Sequence, residues 1–288
     1  MKQDIRGPLS ILAAAALWST GGLGIKRVHL FPLTTAGWRS VFALAALLAV
    51  GGWRELSLTA LKRRAVLGTA CSYALTLILF VSATRLTTAA NAILLQYTSP
   101  LWVIALSHIF RQERPSRRDI AVAGGCLVGL ALFFLDKISP EGFRGMIAAI
   151  ASGLTMACLI VGLRHEGLRG AQSSSTAAVL AGNALCILAC SPWMVSGLPS
   201  MTGANWAVIA TLGIFQLGLP YLLFSKGLRH VTALQATLLG LVEPLLNPLW
   251  VWLGTGETPG CWAIAGGATI ISCLAADLST RTGHRQRT

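Results

Sequence analysis

The sequence predicts an all-α membrane protein in which ten transmembrane helices form two inverted five-helix repeats around a central cavity. The first supporting observation is composition: 54% of the 288 residues are hydrophobic and 11% are charged, whereas charged residues make up about 25% of an ordinary soluble domain. A transmembrane helix needs about 20 mostly apolar residues. Runs of this kind occur roughly at residues 8–26, 33–53, 65–84, 87–108, 117–135, 143–163, 173–195, 204–225, 231–253 and 260–279.

The second observation is an internal duplication. Residues 80–121 align without gaps to residues 224–265. A high content of apolar residues would explain matching Ala and Leu, but not matching Arg, Pro and Glu. We therefore predict a first repeat at residues 1–138 and a second at residues 139–288. The matching pairs are Phe80 and Phe224, Arg85 and Arg229, Thr88 and Thr232, Pro100 and Pro244, Glu113 and Glu257, and Pro115 and Pro259.

The number of crossings in each repeat determines its orientation. Because five is odd, the second repeat enters the membrane from the side opposite to the first. Two copies in opposite orientation can each adopt the other's conformation, which gives inward-open and outward-open states of similar energy around a midplane site. This arrangement predicts an alternating-access carrier.

The net charge of +13 would suit a nucleic-acid-binding protein, but the basic residues lie in short loops between the apolar runs. Most of the 23 Lys and Arg lie in loops on the same side as the N-terminus. Lys and Arg concentrate in cytoplasmic loops, so both termini are predicted to be cytoplasmic. The lipid bilayer, and not nucleic acid, is the expected partner. The basic residues of the opposite loops are Lys26, Arg27, Arg85, Lys137 and Arg144.

Cysteines and glycines inside the apolar runs are predicted to be structural. Cys186 and Cys190 share a helical face, but no His or carboxylate is near them in sequence, so neither a metal nor another cofactor is expected. Glycines in the fifth and tenth helices predict close helix contacts. They are Gly124, Gly125, Gly129, Gly266 and Gly267.

The candidate substrate site begins in the first two helices. Trp18 and Ser19 open a cluster of small and polar residues, and Ser152 to Met156 form a similar cluster in the sixth helix. Such residues either let helices pack closely or make room for a ligand. Arg39 lies about six residues into the second helix. It either extends to the outer interface or binds a substrate carboxylate or phosphate inside the bundle.

The third and fourth helices add polar residues and a break. Pro100 removes the backbone hydrogen bond to the Gln96 carbonyl, and Pro244 does the same for Gly240. A carbonyl freed inside a membrane needs a partner from protein, water or ligand. The prolines therefore either shape the bundle or mark a midplane site. The candidate binding residues here are Tyr73, Asn91, Gln96, Tyr97 and Ser99.

The eighth and ninth helices complete the candidate site. Glu243 is the only carboxylate deep inside an apolar run; it could carry a proton, meet a substrate ammonium group, pair with Arg39 or cap local backbone. Amides and aromatic rings around one cavity suit a small amphipathic solute. Further candidate binding residues are Gln216, Tyr221, Gln235 and Asn247, and Pro220, Pro244 and Pro248 join Pro100 as candidate gating or kink positions.

These features resemble the drug/metabolite transporter superfamily, in the ten-helix group built of two EamA domains. The resemblance rests on the duplicated halves, on Trp18-Ser19, on the Arg-Ser-Val-Phe-Ala-Leu-Ala run that begins at Arg39, and on segments 89–101 and 243–259. It implies a bacterial inner-membrane carrier with cytoplasmic termini and a central cavity. Similarity to aromatic amino-acid exporters of this group makes apolar amino acids the first expected substrates.

These features bear on three functions. The first is export of amino acids and related small metabolites by facilitated or proton-linked alternating access. The second is export of drugs or cationic compounds, with Glu243 as the partner of the cation. An intramembrane enzyme is disfavoured, because the sequence has no Gly-x-Ser-x-Gly motif and no His in mid-membrane.

Overall fold

The computed structural model describes residues 5–21, 28, 30–55, 58–109, 115–168, 172–255 and 260–285. The helices of the first half are α1 (Arg6–Trp18), α2 (Pro32–Ala49), α3 (Leu58–Leu61), α4 (Arg64–Leu86), α5 (Ala89–Gln96), α6 (Ser99–Ile109) and α7 (Arg117–Phe133). Those of the second half are α8 (Phe143–Leu168), α9 (Gln172–Ser196), α10 (Gly203–Thr211), α11 (Leu219–Gly227), α12 (Ala233–Gly240), α13 (Val242–Thr255) and α14 (Cys261–Arg285). A π-helical segment, Leu212–Gly218, joins α10 to α11, and short 3-10 turns cover Gly52–Glu55, Leu135–Lys137 and Leu198–Ser200.

The described part of the chain is all-helical, with the apolar helices of a multi-pass membrane protein. Within its described part, seven helical segments are long and apolar enough to cross a membrane, and each coincides with a predicted span. The first, fifth and ninth predicted spans also contain helices. However, α1 has 13 residues and α7 has 17, and the ninth span is divided between α12 and α13. The count of ten crossings therefore stays a prediction.

The fourth and ninth spans are interrupted at matching positions. Thr88 precedes α5 and Thr232 precedes α12, and each side chain accepts a hydrogen bond of 3.1 Å from the backbone N–H three residues later. Both helices have 8 residues and end just before the positions where Pro100 and Pro244 leave the helical hydrogen-bond ladder incomplete. The duplicated sequence thus specifies the same local structure twice. The matched residues Glu113, Glu257 and Pro259 lie outside the described residues.

The two halves meet most extensively where α4 packs against α8. The Thr76 hydroxyl donates to the Thr155 hydroxyl at 2.9 Å across this contact. Near one end of it, Arg63 and Glu166 form a salt bridge of 2.9 Å, and the Glu166 side chain is completely buried. The sequence pattern did not reveal this buried carboxylate, because α8 continues to Leu168, beyond the predicted end of the sixth span.

Glycines bring α7 and α14 into close contact. A Cβ atom added at Gly129 would lie 2.8 Å from Ile270 Cγ1 and 3.0 Å from the Gly266 carbonyl oxygen. A Cβ atom added at Gly124, on the same helix, would meet no heavy atom within 4 Å. The close approach of the two helices therefore depends on the absence of a side chain at Gly129, and not on the absence of one at Gly124.

Gly129→Ala is expected to lower the free energy of unfolding by about 1–3 kcal/mol, the usual cost of overpacking. Gly124→Ala is the matched control, and it is expected to leave stability unchanged or raise it by up to about 1 kcal/mol, because Ala favours helix over Gly. Denaturant unfolding in detergent micelles, followed by the fluorescence of the nine Trp, measures both. Equal unfolding midpoints for the two variants would contradict the prediction.

Candidate functional site

A cavity lies between the two halves of the bundle, and six of the predicted binding residues line it: Trp18, Arg39, Gln96, Gln216, Tyr221 and Glu243. The other lining residues come from α4, α8 and the π-helical segment and are mostly apolar. They are Thr76, Leu77, Phe80, Val81, Met156 and Leu217. The cavity has a volume of about 50 Å³, whereas small-molecule sites usually measure roughly 300–1,000 Å³. The helices must therefore separate before a solute the size of an amino acid can enter.

Arg39 points into the bundle. Its side chain is 3% exposed, which separates the two interpretations that the sequence left open: the guanidinium does not extend to the membrane interface. Arg39 Nη2 donates a hydrogen bond to the side-chain oxygen of Gln216. Gln216 belongs to the π-helical segment, and π-helical turns are frequent at functional sites. The cation at the cavity therefore has a neutral partner.

Glu243 also has a neutral partner. The Tyr97 hydroxyl lies 2.6 Å from Glu243 Oε2 and 3.1 Å from the Gly240 carbonyl oxygen. Gly240 is the residue whose carbonyl Pro244 frees from the helix, so a tyrosine of the first half satisfies a break in the second half. Pairing with Arg39 was one of the roles that the sequence left open for Glu243. The structure instead gives Arg39 and Glu243 separate neutral partners, and both groups face one cavity.

Aromatic rings form one wall of the cavity. The rings of Trp18 and Tyr221 meet edge to face with centroids 5.1 Å apart, and Phe224 supports Trp18 at the same centroid distance. Tyr73 lies behind Tyr221, with centroids 4.6 Å apart, and is not among the lining residues. Its hydroxyl accepts a hydrogen bond of 3.0 Å from Asn183, so Tyr73 supports the wall from behind.

Gln96 is held at the cavity by α8. Its side-chain amide donates to the Ser152 hydroxyl at 2.8 Å. The next residue, Gly153, allows the helices to approach, because a Cβ atom there would lie 2.7 Å from the Gln96 carbonyl oxygen. The polar and small cluster predicted in the sixth helix therefore serves close packing at the first break.

Two predicted binding residues have other partners. The Ser19 hydroxyl accepts a hydrogen bond of 2.8 Å from Trp250 Nε1 and so joins α1 to α13. The Asn91 amide donates to the Ser139 carbonyl oxygen at 2.6 Å, which ties the start of α5 to the connection between the two halves. Both side chains are buried away from the cavity lining.

The other candidates are distributed as follows. Ser99 and Gln235 are buried but do not line the cavity. Pro220 lies in the first turn of α11, directly after the π-helical segment. The side chains of Asn247 and Pro248 lie outside the described residues, although their backbone belongs to α13.

Sequence reasoning missed several apolar lining residues, above all Phe80 and Met156. A signal existed for Phe80, because it matches Phe224 in the duplication, and Phe224 packs on Trp18. Met156 ends the cluster predicted in the sixth helix, but nothing in the sequence marked it as a lining residue. Among the described residues, no three His, Cys, Asp or Glu side chains come together as a group that could hold a metal ion.

Comparison with known proteins finds a transporter family and relatives that are named as transporters. The model of the EamA-like transporter family matches residues 5–135 and again residues 143–276. An uncharacterized transporter of Archaeoglobus fulgidus is 28% identical over 270 residues, which cover 92% of this chain and 94% of that protein. The pseudopaline exporter CntI of Pseudomonas aeruginosa is 26% identical over 192 residues, 65% of each protein.

A crystal structure of another protein has the same fold, with a TM-score of 0.77 at 23% identity, covering 93% of this chain and 95% of that one. The two matches to the family model together span most of the chain. The chain therefore belongs to the EamA-like transporter family, within the drug/metabolite transporter superfamily.

Proposed function

We propose that this transporter exports amino acids with aromatic or other apolar side chains, and related small metabolites. The observation that carries the proposal is that Arg39 and Glu243 line the same cavity. An amino acid presents a carboxylate and an ammonium group together, and charge-assisted hydrogen bonds to such groups are the strong ones. One zwitterion can therefore replace both neutral partners, Gln216 on the cation and Tyr97 on the anion.

The wall between the two charges supports an apolar substrate body. Trp18, Tyr221 and Phe80 bring three aromatic rings to the cavity, and Met156 adds an adaptable apolar side chain. Aromatic pairs add about 0.5–1.5 kcal/mol beyond the area that they bury. A substrate with an indole or phenyl ring would gain this contribution when the helices separate to admit it.

Alternating access through inverted repeats is part of the same proposal. The proposed transporter has ten helices that cross a bacterial inner membrane, and both of its termini are cytoplasmic. The bundle bends at two helix breaks, one between α5 and α6 and the other between α12 and α13. Matching breaks in two repeats suit a carrier whose halves exchange conformations. The similarity to a protein named as an exporter supports export as the direction of transport.

A second candidate is export of drugs or other cationic compounds. Glu243 favours it, because a carboxylate beside aromatic rings also suits an organic cation. In that case Arg39 would keep Gln216 as its partner during transport, and only Glu243 would meet the substrate. The two candidates therefore differ in whether the substrate needs a carboxylate.

Counterflow in proteoliposomes tests the proposal. We expect purified protein to exchange radiolabelled Trp and Phe, and unlabelled apolar amino acids to compete more strongly than tryptamine, which lacks the carboxylate, or indole propionate, which lacks the ammonium group. Movement of lipophilic cations without amino-acid exchange would replace the proposal by the second candidate. Liposomes without protein are the control.

A further inference from the structure

The Tyr97 hydroxyl has one proton and two acceptors within reach. It lies 2.6 Å from Glu243 Oε2 and 3.1 Å from the Gly240 carbonyl oxygen. A phenolic hydroxyl donates one hydrogen bond but can also accept one. When Glu243 is ionised and can only accept, the Tyr97 proton is drawn to the carboxylate, since hydrogen bonds to charged groups are about twice as strong as neutral ones. The Gly240 carbonyl then loses its donor.

Protonation of Glu243 reverses this arrangement. A hydrated proton taken up from the solvent forms the carboxyl O–H bond and leaves a water molecule, and that O–H can donate to the Tyr97 oxygen. The Tyr97 hydroxyl then donates to the Gly240 carbonyl, so that Glu243, Tyr97 and Gly240 all have a hydrogen-bond partner. Because a carbonyl without a partner inside a membrane costs several kcal/mol, the two protonation states favour different conformations of the α12–α13 break.

We propose that Tyr97 links the protonation of Glu243 to the conformation of the two helix breaks. Tyr97 itself lies at the end of α5, in the first break, whereas Gly240 ends α12 at the second. One part of the proposal rests on the proposed transport function, namely that this link is the route by which transport is coupled to protons. It makes Tyr97 a positioning residue, distinct from the substrate-binding role that the sequence suggested.

The link exists in one repeat only. The position that matches Tyr97 in the second repeat is Leu241, and the position that matches Glu243 in the first is Ser99. Neither Leu241 nor Ser99 is ionisable, so the reverse link cannot form. A single titrating group would therefore act on both breaks through one hydroxyl.

Other groups around Glu243 set its electrostatic surroundings. Arg39 reaches the same cavity from α2, and Tyr221 reaches it from α11. From α1, which packs against α13, the cavity-lining side chain is that of Trp18. Arg39 is held by Gln216, and the Tyr97 hydroxyl is the partner recorded for the Glu243 carboxylate.

Infrared difference spectroscopy on the purified, substrate-free protein tests the link. The chain has three Tyr, so Tyr73→Phe and Tyr221→Phe assign two of the ring C–O bands and leave the third to Tyr97. As pH is lowered we expect a protonated carboxyl band to appear and the Tyr97 band to shift with the same midpoint. Glu243→Gln is expected to abolish both changes, and Tyr73→Phe to keep both.

Two outcomes would overturn the proposal. One is a Glu243 carboxyl band that titrates while the Tyr97 band stays constant, which would make the hydroxyl a fixed structural donor. The other is no Glu243 carboxyl band at any pH at which the protein is folded. Tyr97→Phe, where it folds, is expected to retain the carboxyl titration but at a shifted band position.

The measurement separates this link from the proposed function. The spectra need no substrate, so their failure would leave amino-acid export standing. Conversely, coupled Tyr97 and Glu243 bands together with absent counterflow would reject amino-acid export and leave the link in place. Tyr97→Phe is further expected to bring the ratio of flux at low and high pH close to one.

Discussion

Arg39→Ala is expected to weaken the binding of solutes that carry a carboxylate by about 10–100-fold, which corresponds to about 1.5–3 kcal/mol for a hydrogen bond to a charged group. Decarboxylated amines of the same ring structure are expected to bind nearly as before. The physical reason is that the guanidinium is the cation at the cavity and its partner in the substrate-free state is the neutral amide of Gln216. Competition counterflow with paired acids and amines measures the difference.

A matched variant separates charge from packing in this experiment. Gln216→Leu removes the neutral partner but keeps the guanidinium. It is therefore not expected to weaken the binding of solutes with a carboxylate selectively. Arg39→Lys keeps a positive charge without the planar fork of donors, and it should show an intermediate loss. Equal losses for acids and amines in Arg39→Ala would show that Arg39 has a purely structural role. If Arg39→Ala does not fold as a monodisperse protein, the same comparison in Arg39→Lys decides.

Glu243→Gln is expected to abolish transport driven by a pH gradient, whereas exchange at equal pH is expected to persist with weaker substrate binding, because the anionic partner of the ammonium group is lost. Gln has the shape of the protonated acid and can donate to the Tyr97 oxygen, but it cannot release a proton. Substrate accumulation against its gradient, driven by an imposed pH difference across proteoliposomes, is expected to fall to the level without a gradient. This is the largest functional effect that we expect from a single substitution.

The control for this prediction is Glu166, a carboxylate that is buried away from the cavity. Glu166→Gln changes a group that pairs with Arg63 and does not line the cavity. Its pH-driven accumulation is expected to remain. Unchanged pH-driven transport in Glu243→Gln would show that Glu243 does not carry the coupled proton, and loss in both variants would point to a general effect of removing a buried charge.

Much of the helical architecture could be predicted, because its signals are local. Apolar runs predicted the spans, Thr88 and Thr232 cap the helices that follow them, and Pro100 and Pro244 end the helical ladder within four residues. The membrane class followed from composition alone. Span lengths were less predictable, since α1 and α7 are shorter than the corresponding apolar runs and the ninth span is divided between α12 and α13.

The candidate site could be predicted only in part. Glu243 and Arg39 stand out in sequence because charged residues inside apolar runs are costly and rare. Asn91 and Ser19 looked equally suitable, but they join backbone or indole groups elsewhere in the bundle. Polarity in a membrane helix shows that a partner is needed, and it does not show whether that partner is a substrate or another helix.

The sequence by itself determined the membrane class, the duplication and the two helix breaks, because caps, prolines and apolar runs act over a few residues. Only the tertiary structure decided which side chains meet. Arg39 and Gln216 are 177 residues apart, Tyr97 and Glu243 are 146 apart, and Arg63 and Glu166 are 103 apart. Hydrogen bonds form only at contact distance, so the packing of distant helices, and not the local pattern, chose a neutral partner for each charge at the cavity.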